Sequence, residues 1–488
     1  MDTQKKYILI AERSREDAAL KLGFTAKKIY NKKGYIPLVI YDHKPTPECY
    51  TIYNVFNIFE IYHYTKIIGF LNYLKVLFFS IIFFVYSFFT IWIKGLDWFV
   101  SYFKIKNILI GDLIYDRYIR NENKYLSPKL IDFKFLRLLF SGIFKVFSLN
   151  KIFDLYNIKL SLVGSKSYIS LSTLLLRVSL QRNIKSIFII GYVYKIYNKK
   201  YNFVEPLRDA VVKFRKKFSK NELKIKSAKY FNDKINGKLN TDRSKGIILD
   251  DEKYWKISKE YPKFTNTLLQ KKKKYSKVIV FALHCFSEIN HATGDIVFRD
   301  YFQQFIETIK FAKKDKNHLW VFKLHPMCDG KYKELDSTLK ILNSNQSDNI
   351  IVPPIKYSTK ILFKYADLIV STRGTICLEA ATYGINNLML TESFFTGFGF
   401  TNVKKTKKAY FKSFNEAATF KKLPTKSMSS AKEILFLSKT VYRNNPYNIF
   451  PLREFLTKTE FKKKLDGLSK NSNISNNKLY DIMLNQFL

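Results

Sequence analysis

The residues of this 488-residue chain best able to do chemistry are a group of histidines and one turn of small polar residues. The chain has only six histidines, and four of them, His284, His291, His318 and His325, fall in one stretch. Two of these close apolar runs. His284 follows Lys277–Leu283 (KVIVFAL), and His325 follows Leu319–Leu324 (LWVFKL). His318 precedes its run, at the wrong end for a site. The turn is Ser371-Thr372-Arg373-Gly374-Thr375, between the run Asp367–Ser371 (DLIVS) and a helical pattern. Gly374 lets the backbone approach a ligand closely. N–H groups at a helix start favour an anion, and Arg373 adds a full positive charge. Thr375 and Glu379 are four apart and share a helix face. A carboxylate placed there can accept hydrogen bonds from ribose hydroxyls while the turn holds phosphate.

These residues need a scaffold that brings strand ends together. Open α/β sheets do so, because ligands bind beyond the carboxyl ends of their strands. The first half alternates predicted strands (Tyr7–Ala11, Tyr35–Ile40, Asn107–Ile110, Leu160–Val163, Ser186–Gly191) with helical stretches such as Tyr168–Gln181. The second half repeats the alternation. Strands are predicted at Lys277–Leu283, Leu319–Leu324, Ile350–Val352, Asp367–Ser371 and Asn387–Leu390, and helices at Arg299–Lys313, Ser358–Tyr365 and Thr375–Tyr383. The pattern predicts an α/β chain of two Rossmann-like doubly wound domains facing a cleft. Residues 1–274 form the first, with an apolar helical insertion at about 52–103 and a basic linker at about 215–274. Residues 275–456 form the second. A polar tail, 457–488, holds at most a closing helix.

Within the insertion, Val76–Ile93 (VLFFSIIFFVYSFFTIWI) carries no charge between Lys75 and Lys94. As a helix it is about 27 Å long, close to a bilayer's hydrocarbon thickness. Strands expected on both sides of it in one sheet argue against a single crossing. Two readings remain beside true spanning. In one, Ile52–Tyr73 and Val76–Ile93 form a helical pair dipping into one leaflet; in the other, the segment is a buried helix. Flanking lysines and many aromatics suit an interfacial, monotopic element.

The formal charge is +44, from 84 Lys+Arg against 40 Asp+Glu. A codon bias toward Lys, Ile, Asn, Tyr and Phe accounts for part of it; the rest suits an anionic partner such as a membrane face or sugar nucleotide. With 47% apolar and 25% charged residues, a mainly disordered chain is excluded. The four cysteines, Cys49, Cys285, Cys328 and Cys377, have neither metal-ligand nor redox spacing. No secretory signal stands at the N-terminus. These features predict a cytoplasmic protein at the inner face of the membrane.

The pattern Thr375, Glu379, Ala380, Gly384 resembles the nucleotide-sugar signature of GT-B glycosyltransferases. The segment 282–309 (ALHCFSEINHATGDIVFRDYFQQFIETI), the block Lys323-Leu324-His325-Pro326 and the block Ile110–Arg120 (IGDLIYDRYIR) resemble bacterial capsule and surface-polysaccharide glycosyltransferases. Two departures stand out: Glu288 sits where that family suggests Asp, and the apolar insertion is long. The resemblance implies a nucleotide-sugar site in the C-terminal domain, an acceptor site in the N-terminal domain, and no metal or cofactor.

Glycosyl transfer needs stabilisation of the leaving phosphate, a base for the acceptor hydroxyl and exclusion of water. The phosphate falls to Arg373, Gly374, Thr375 and His325, with His284, Ser287 and Lys323 in support and Ser371 and Thr372 in the same turn. Glu379 takes the ribose. The candidate bases are Asp112, Asp116, Glu288 and His291, Asp112 because it follows the Asn107–Ile110 run. Partners expected are a nucleotide sugar, a glycan or lipid-linked acceptor and an anionic membrane surface. A polyol-phosphate transferase, a nucleotide-sugar epimerase and a non-enzymatic basic nucleic-acid-binding protein remain alternatives. Against the last, no zinc spacing, RNP-like block or recognition-helix motif is present.

Overall fold

The apolar runs become two parallel sheets in the computed structural model. It describes residues 5–122, 126, 128–130, 132–190, 193–197, 206–235, 260–291, 297–329, 333–355 and 357–443. The chain divides into two compact units. One takes in the described residues of 1–118, 128–206 and 442–488, the other those of 119–127 and 207–441.

In the first unit the strands are β1 (Tyr7–Ala11), β2 (Ile36–Tyr41), β3 (Ile61–His63), β4 (Lys104–Ile105), β5 (Ile108–Leu109), β6 (Ile158–Val163), β7 (Ser186–Ile190) and β8 (Val193–Tyr197). The main sheet has the order β3-β2-β1-β6-β7-β8. It is parallel except for β8, which runs antiparallel to β7. Ile8, Ile10, Val39, Leu160, Leu162 and Ile187 pack beneath the helices Glu16–Lys33 and Pro47–Val55.

Two expectations fail here. The Asn107–Ile110 run does not join the main sheet: β5 pairs only with β4 in a short antiparallel hairpin. Ile52–Tyr73 is not a helix of a pair, because Ile61–His63 pairs with β2 as the sheet's outer strand. The apolar segment lies in a long helix, Phe70–Tyr102, interrupted at Gly95, where φ is 78°. Its helical neighbour is Phe133–Leu155, through Phe83 on Phe147 and Phe84 on Phe140.

In the second unit the strands are β9 (Lys277–Ala282), β10 (His318–Lys323), β11 (Ile350–Ile351), β12 (Leu368–Ser371), β13 (Asn386–Met389) and β14 (Asn402–Val403). All pairs are parallel, in the order β11-β10-β9-β12-β13-β14. Central strands buried on both faces read as unbroken apolar runs, which is why β9, β10 and β12 stand out in the sequence. The strand order reverses between β9 and β12, so a crevice opens beyond their carboxyl ends. Val370 pairs with Phe281 across that boundary. The chain therefore delivers His284 and the Ser371–Thr375 turn to the same edge.

The main body of the second unit starts at 207, ahead of the boundary expected near 274. The stretch expected as a basic linker carries two helices, Lys220–Ile235 and Glu260–Lys272. Their aromatic residues supply the reason. Tyr230 packs on Phe436, Phe231 on Tyr383 and Phe264 on Tyr357, which fixes both helices to this unit. The tail 457–488 lies outside the described residues.

Candidate functional site

β9 and β12 bring His284 and Arg373 into contact. The His284 Nε2 accepts from the Arg373 backbone N–H at 3.4 Å and lies 3.3 Å from Ser371 Oγ. The proton therefore sits on Nδ1. Burial, then the charges of Arg373 and His325, lower the His284 pKa to about 3, so the ring is neutral at pH 7. Tyr301 stacks on that imidazole with centroids 4.6 Å apart, and its ring also lies 5.7 Å from the Arg373 guanidinium carbon. One guanidinium nitrogen, Nη2, donates to the carbonyl of Ile289 and ties the turn to the loop after β9. The other, Nη1, is buried with no hydrogen-bond partner among the described residues. A buried charged donor without an acceptor is costly, so a ligand that supplies one is favoured.

Gly374 is required by close approach. A Cβ there would stand 2.7 Å from Ser371 Oγ, a hydroxyl that also donates to Ala282 O at 3.2 Å. The helix that follows is shorter than expected, Ile376–Thr382, and Thr375 makes no side-chain cap. With seven residues it offers little macrodipole. The positive charge at this turn thus comes from Arg373. Glu379 lies on that helix and is paired with Lys234 at 2.6 Å. Burial alone would lower the Lys234 pKa, but the carboxylate outweighs it and the pKa rises. Lys234 belongs to the stretch expected to be linker.

His325 caps the short helical turn Pro326–Cys328. Its Nδ1 accepts from Met327 N at 3.2 Å, which leaves the proton on Nε2 as a donor. Burial lowers its pKa, with Lys323 adding to the effect and Glu288 opposing it. Glu288 is half-buried in the loop after β9. His284, His325, Arg373 and Glu288 are therefore electrostatic neighbours.

Several predicted residues are held by the protein instead. Ser287 donates its hydroxyl to Glu334, a fully buried carboxylate that also takes the backbone N–H groups of Phe286 and Ser287, each at 2.7 Å. This loop's anion-binding amides are thus filled internally. Lys323 donates to the carbonyl of Tyr357 at 3.0 Å and is buried. Thr372 donates its hydroxyl to Gln304. His291 meets the Arg299 carbonyl through Nε2 at 2.9 Å, so that nitrogen carries a proton and cannot accept one. Asp112 and Asp116 belong to the first unit, on the helix Gly111–Glu122, and both are buried. Both Asp112 oxygens are gripped by Arg177, at 2.8 and 2.6 Å, and Arg177 also donates to Leu109 O at 2.5 Å. Because Asn107–Ile110 is outside the main sheet, Asp112 does not stand at a sheet strand's carboxyl end. Its geometry is that of a buried structural ion pair.

The strand-end rule does pick a carboxylate in the first unit that sequence reasoning passed over. Glu12 directly follows β1, at the reversal between β1 and β6. It is buried, accepts from Ser14 N at 2.8 Å and from the Tyr53 hydroxyl, and burial raises its pKa. A raised carboxyl pKa suits a general base. Among the described residues one group could hold a metal: Cys285, Cys328 and Glu334 offer donor atoms within 4.8 Å of one another. The two sulfurs are 3.6 Å apart, and His325 Nδ1 is 3.4 Å from Cys285. Metal binding needs thiolates. The hydrogen bond to Cys328 and burial both push the Cys285 pKa up, which keeps Cys285 a thiol.

No family model matches the chain, and no curated protein matches it. Solved structures align over most of its length at low similarity. The Staphylococcus aureus MnaA–UDP structure has 12% identity and TM-score 0.28, covering 91% of this chain and 97% of that one. The Methanocaldococcus jannaschii UDP-GlcNAc 2-epimerase, in complex with UDP-GlcNAc and UDP, has 12% identity and TM-score 0.27, covering 89% and 100%. A Rickettsia africae glycosyltransferase has 10% identity and TM-score 0.27, covering 93% and 100%. Likeness of this degree carries no weight about activity; that reading rests on the residues.

Proposed function

We propose that this chain is a nucleotide-sugar-dependent glycosyltransferase serving a surface or capsular glycan, or a lipid-linked one. The observation that carries the reading is the buried, unpartnered Arg373 Nη1 beside neutral His284, at the strand-order reversal of a Rossmann-type sheet. In this mechanism Arg373 and the Nε2–H of His325 bind the phosphate and stabilise the charge that grows on it as the anomeric C–O bond breaks. Neutral His284 holds the turn through the Arg373 N–H, so the guanidinium is presented without a second cation against it. Glu379, steered by Lys234, receives the ribose hydroxyls. A carboxylate takes the acceptor hydroxyl's proton as its oxygen bonds to the anomeric carbon. Glu288, the electrostatic neighbour of His325 in the same unit, is the carboxylate suited to that role.

The test is a nucleotide panel of UDP, CDP and CMP titrated calorimetrically against the intact chain and Arg373→Ala. One nucleotide should bind, and Arg373→Ala should weaken it about 10²-fold, as for loss of a charged phosphate donor. Equal affinity in both proteins refutes the phosphate role. Product analysis with the cognate donor then separates the reactions: a sugar on an acceptor supports transfer, whereas a C2 epimer of the donor alone replaces it with an epimerase.

A further inference from the structure

The helix segment Val76–Ile93 is apolar around its whole circumference, yet only one stripe of it is covered. Val76, Ser80, Ser87 and Ile91 are buried. On another face Phe78, Ile82, Val85, Phe89 and Trp92 recur at spacings of four and three, and Phe78, Phe89 and Trp92 are 60%, 53% and 61% exposed. A helix apolar on all sides belongs inside a protein or a membrane, and an exposed patch of this extent marks an interaction site. Its serine and threonine hydroxyls make no demand on water: Ser80, Ser87 and Thr90 donate to the carbonyls of Val76, Phe83 and Tyr86, at 2.7, 2.6 and 2.9 Å. Hydrogen bonds of that kind keep such residues at ease in hydrocarbon.

Charge and topology choose the occupant and its pose. Between 61 and 111 the only acidic residue is Asp97, against the exposed lysines 66, 75, 94, 104 and 106. Lys75 and Lys94 bracket the apolar face, where their stems can lie along acyl chains while the ammonium groups reach headgroups. The helix leaves the main sheet after β3, and the chain returns to it at β6, which pairs with β1. One crossing would strand β3 and β6 on opposite sides of a bilayer. The helix Phe133–Leu155 provides no return crossing, because it is largely buried and its Lys145 is paired at 2.5 Å with Asp42, which follows β2.

We propose that Phe70–Lys94 lies in the plane of an anionic lipid bilayer, with Phe78, Phe89 and Trp92 among the acyl chains and the lysines at the headgroups. The proposal rests on the first unit alone and stands or falls apart from the transferase chemistry. The test is co-sedimentation of the full chain with 7:3 phosphatidylcholine/phosphatidylglycerol vesicles. Binding should weaken with added salt, and at least a hundredfold in Phe78→Ser/Phe89→Ser/Trp92→Ser. In a Val85→Trp/Trp92→Phe variant, emission of the mid-helix tryptophan, read as the difference from Trp92→Phe, should be quenched most by lipids brominated near the headgroup. Quenching strongest at the chain ends means a crossing helix and overturns the proposal. So does equal vesicle binding by wild type and a folded triple variant, or self-association through this face with no vesicle binding.

Discussion

Acidification should unlock the site through one group, His284. An unfolded imidazole has a pKa of 6.5, whereas burial and then the neighbouring Arg373 and His325 hold His284 at about 3. A depressed pKa contributes stability above the unfolded value and loses it as pH falls toward the folded one. At pH 5 the unfolded chain has taken up a proton across about 1.5 pH units that the folded ring refuses. At about 1.36 kcal/mol per unit, this group alone costs about 2 kcal/mol between pH 7 and pH 5. The assay is urea unfolding at both pH values for wild type and His284→Gln, which cannot titrate. Wild type should lose about 2 kcal/mol more than the variant. Histidine ring NMR should show one imidazole unprotonated at pH 5 that is missing in His284→Gln. Equal acid losses, or a His284 resonance that titrates near 6.5, would refute the packing of Arg373 and Tyr301 around a neutral ring.

Other outcomes follow from the same contacts. Asp112→Asn should cost about 3–5 kcal/mol of stability by leaving Arg177 buried and unmatched, while turnover per folded molecule holds; loss of turnover without loss of stability would restore Asp112 as a base. Gly374→Ala should abolish nucleotide binding, because its Cβ meets Ser371 Oγ at 2.7 Å. Adding Ser371→Ala should recover much of that binding by calorimetry; no recovery means the turn needs glycine for another reason. With a donor and acceptor in hand, Glu288→Gln should lose about 10²–10⁴ in kcat with KM for the donor kept. Unchanged kcat places the base elsewhere.

The strands that carry the site were legible because a strand buried on both faces shows itself in consecutive residues. KVIVFAL, LWVFKL and DLIVS each read as strands, and each ends where a candidate residue begins. The placement of His284, Arg373 and Gly374 at strand ends was accordingly legible without coordinates. The failures share a different cause. Ser287, Lys323 and Thr372 looked available because nothing near them in sequence opposes them. Their partners, Glu334, Tyr357 and Gln304, stand 47, 34 and 68 positions away. The run NILI has the composition of a core strand, yet β5 ends in a two-stranded hairpin, since composition says nothing of which strand a strand pairs with.

From its order of residues alone, the chain declared an alternating α/β architecture, the strand ends, an anion-seeking turn and an uncharged apolar segment, all properties of neighbours a few positions apart. Tertiary structure decided the rest. It set β12 beside β9 so that an arginine and a histidine 89 positions apart meet. It gave Glu334 to the amides after β9, drew the supposed linker into the second unit, and covered only one stripe of the apolar helix. Hydrogen-bond satisfaction and burial are settled by whatever arrives from far along the chain, and no local pattern records the arrival.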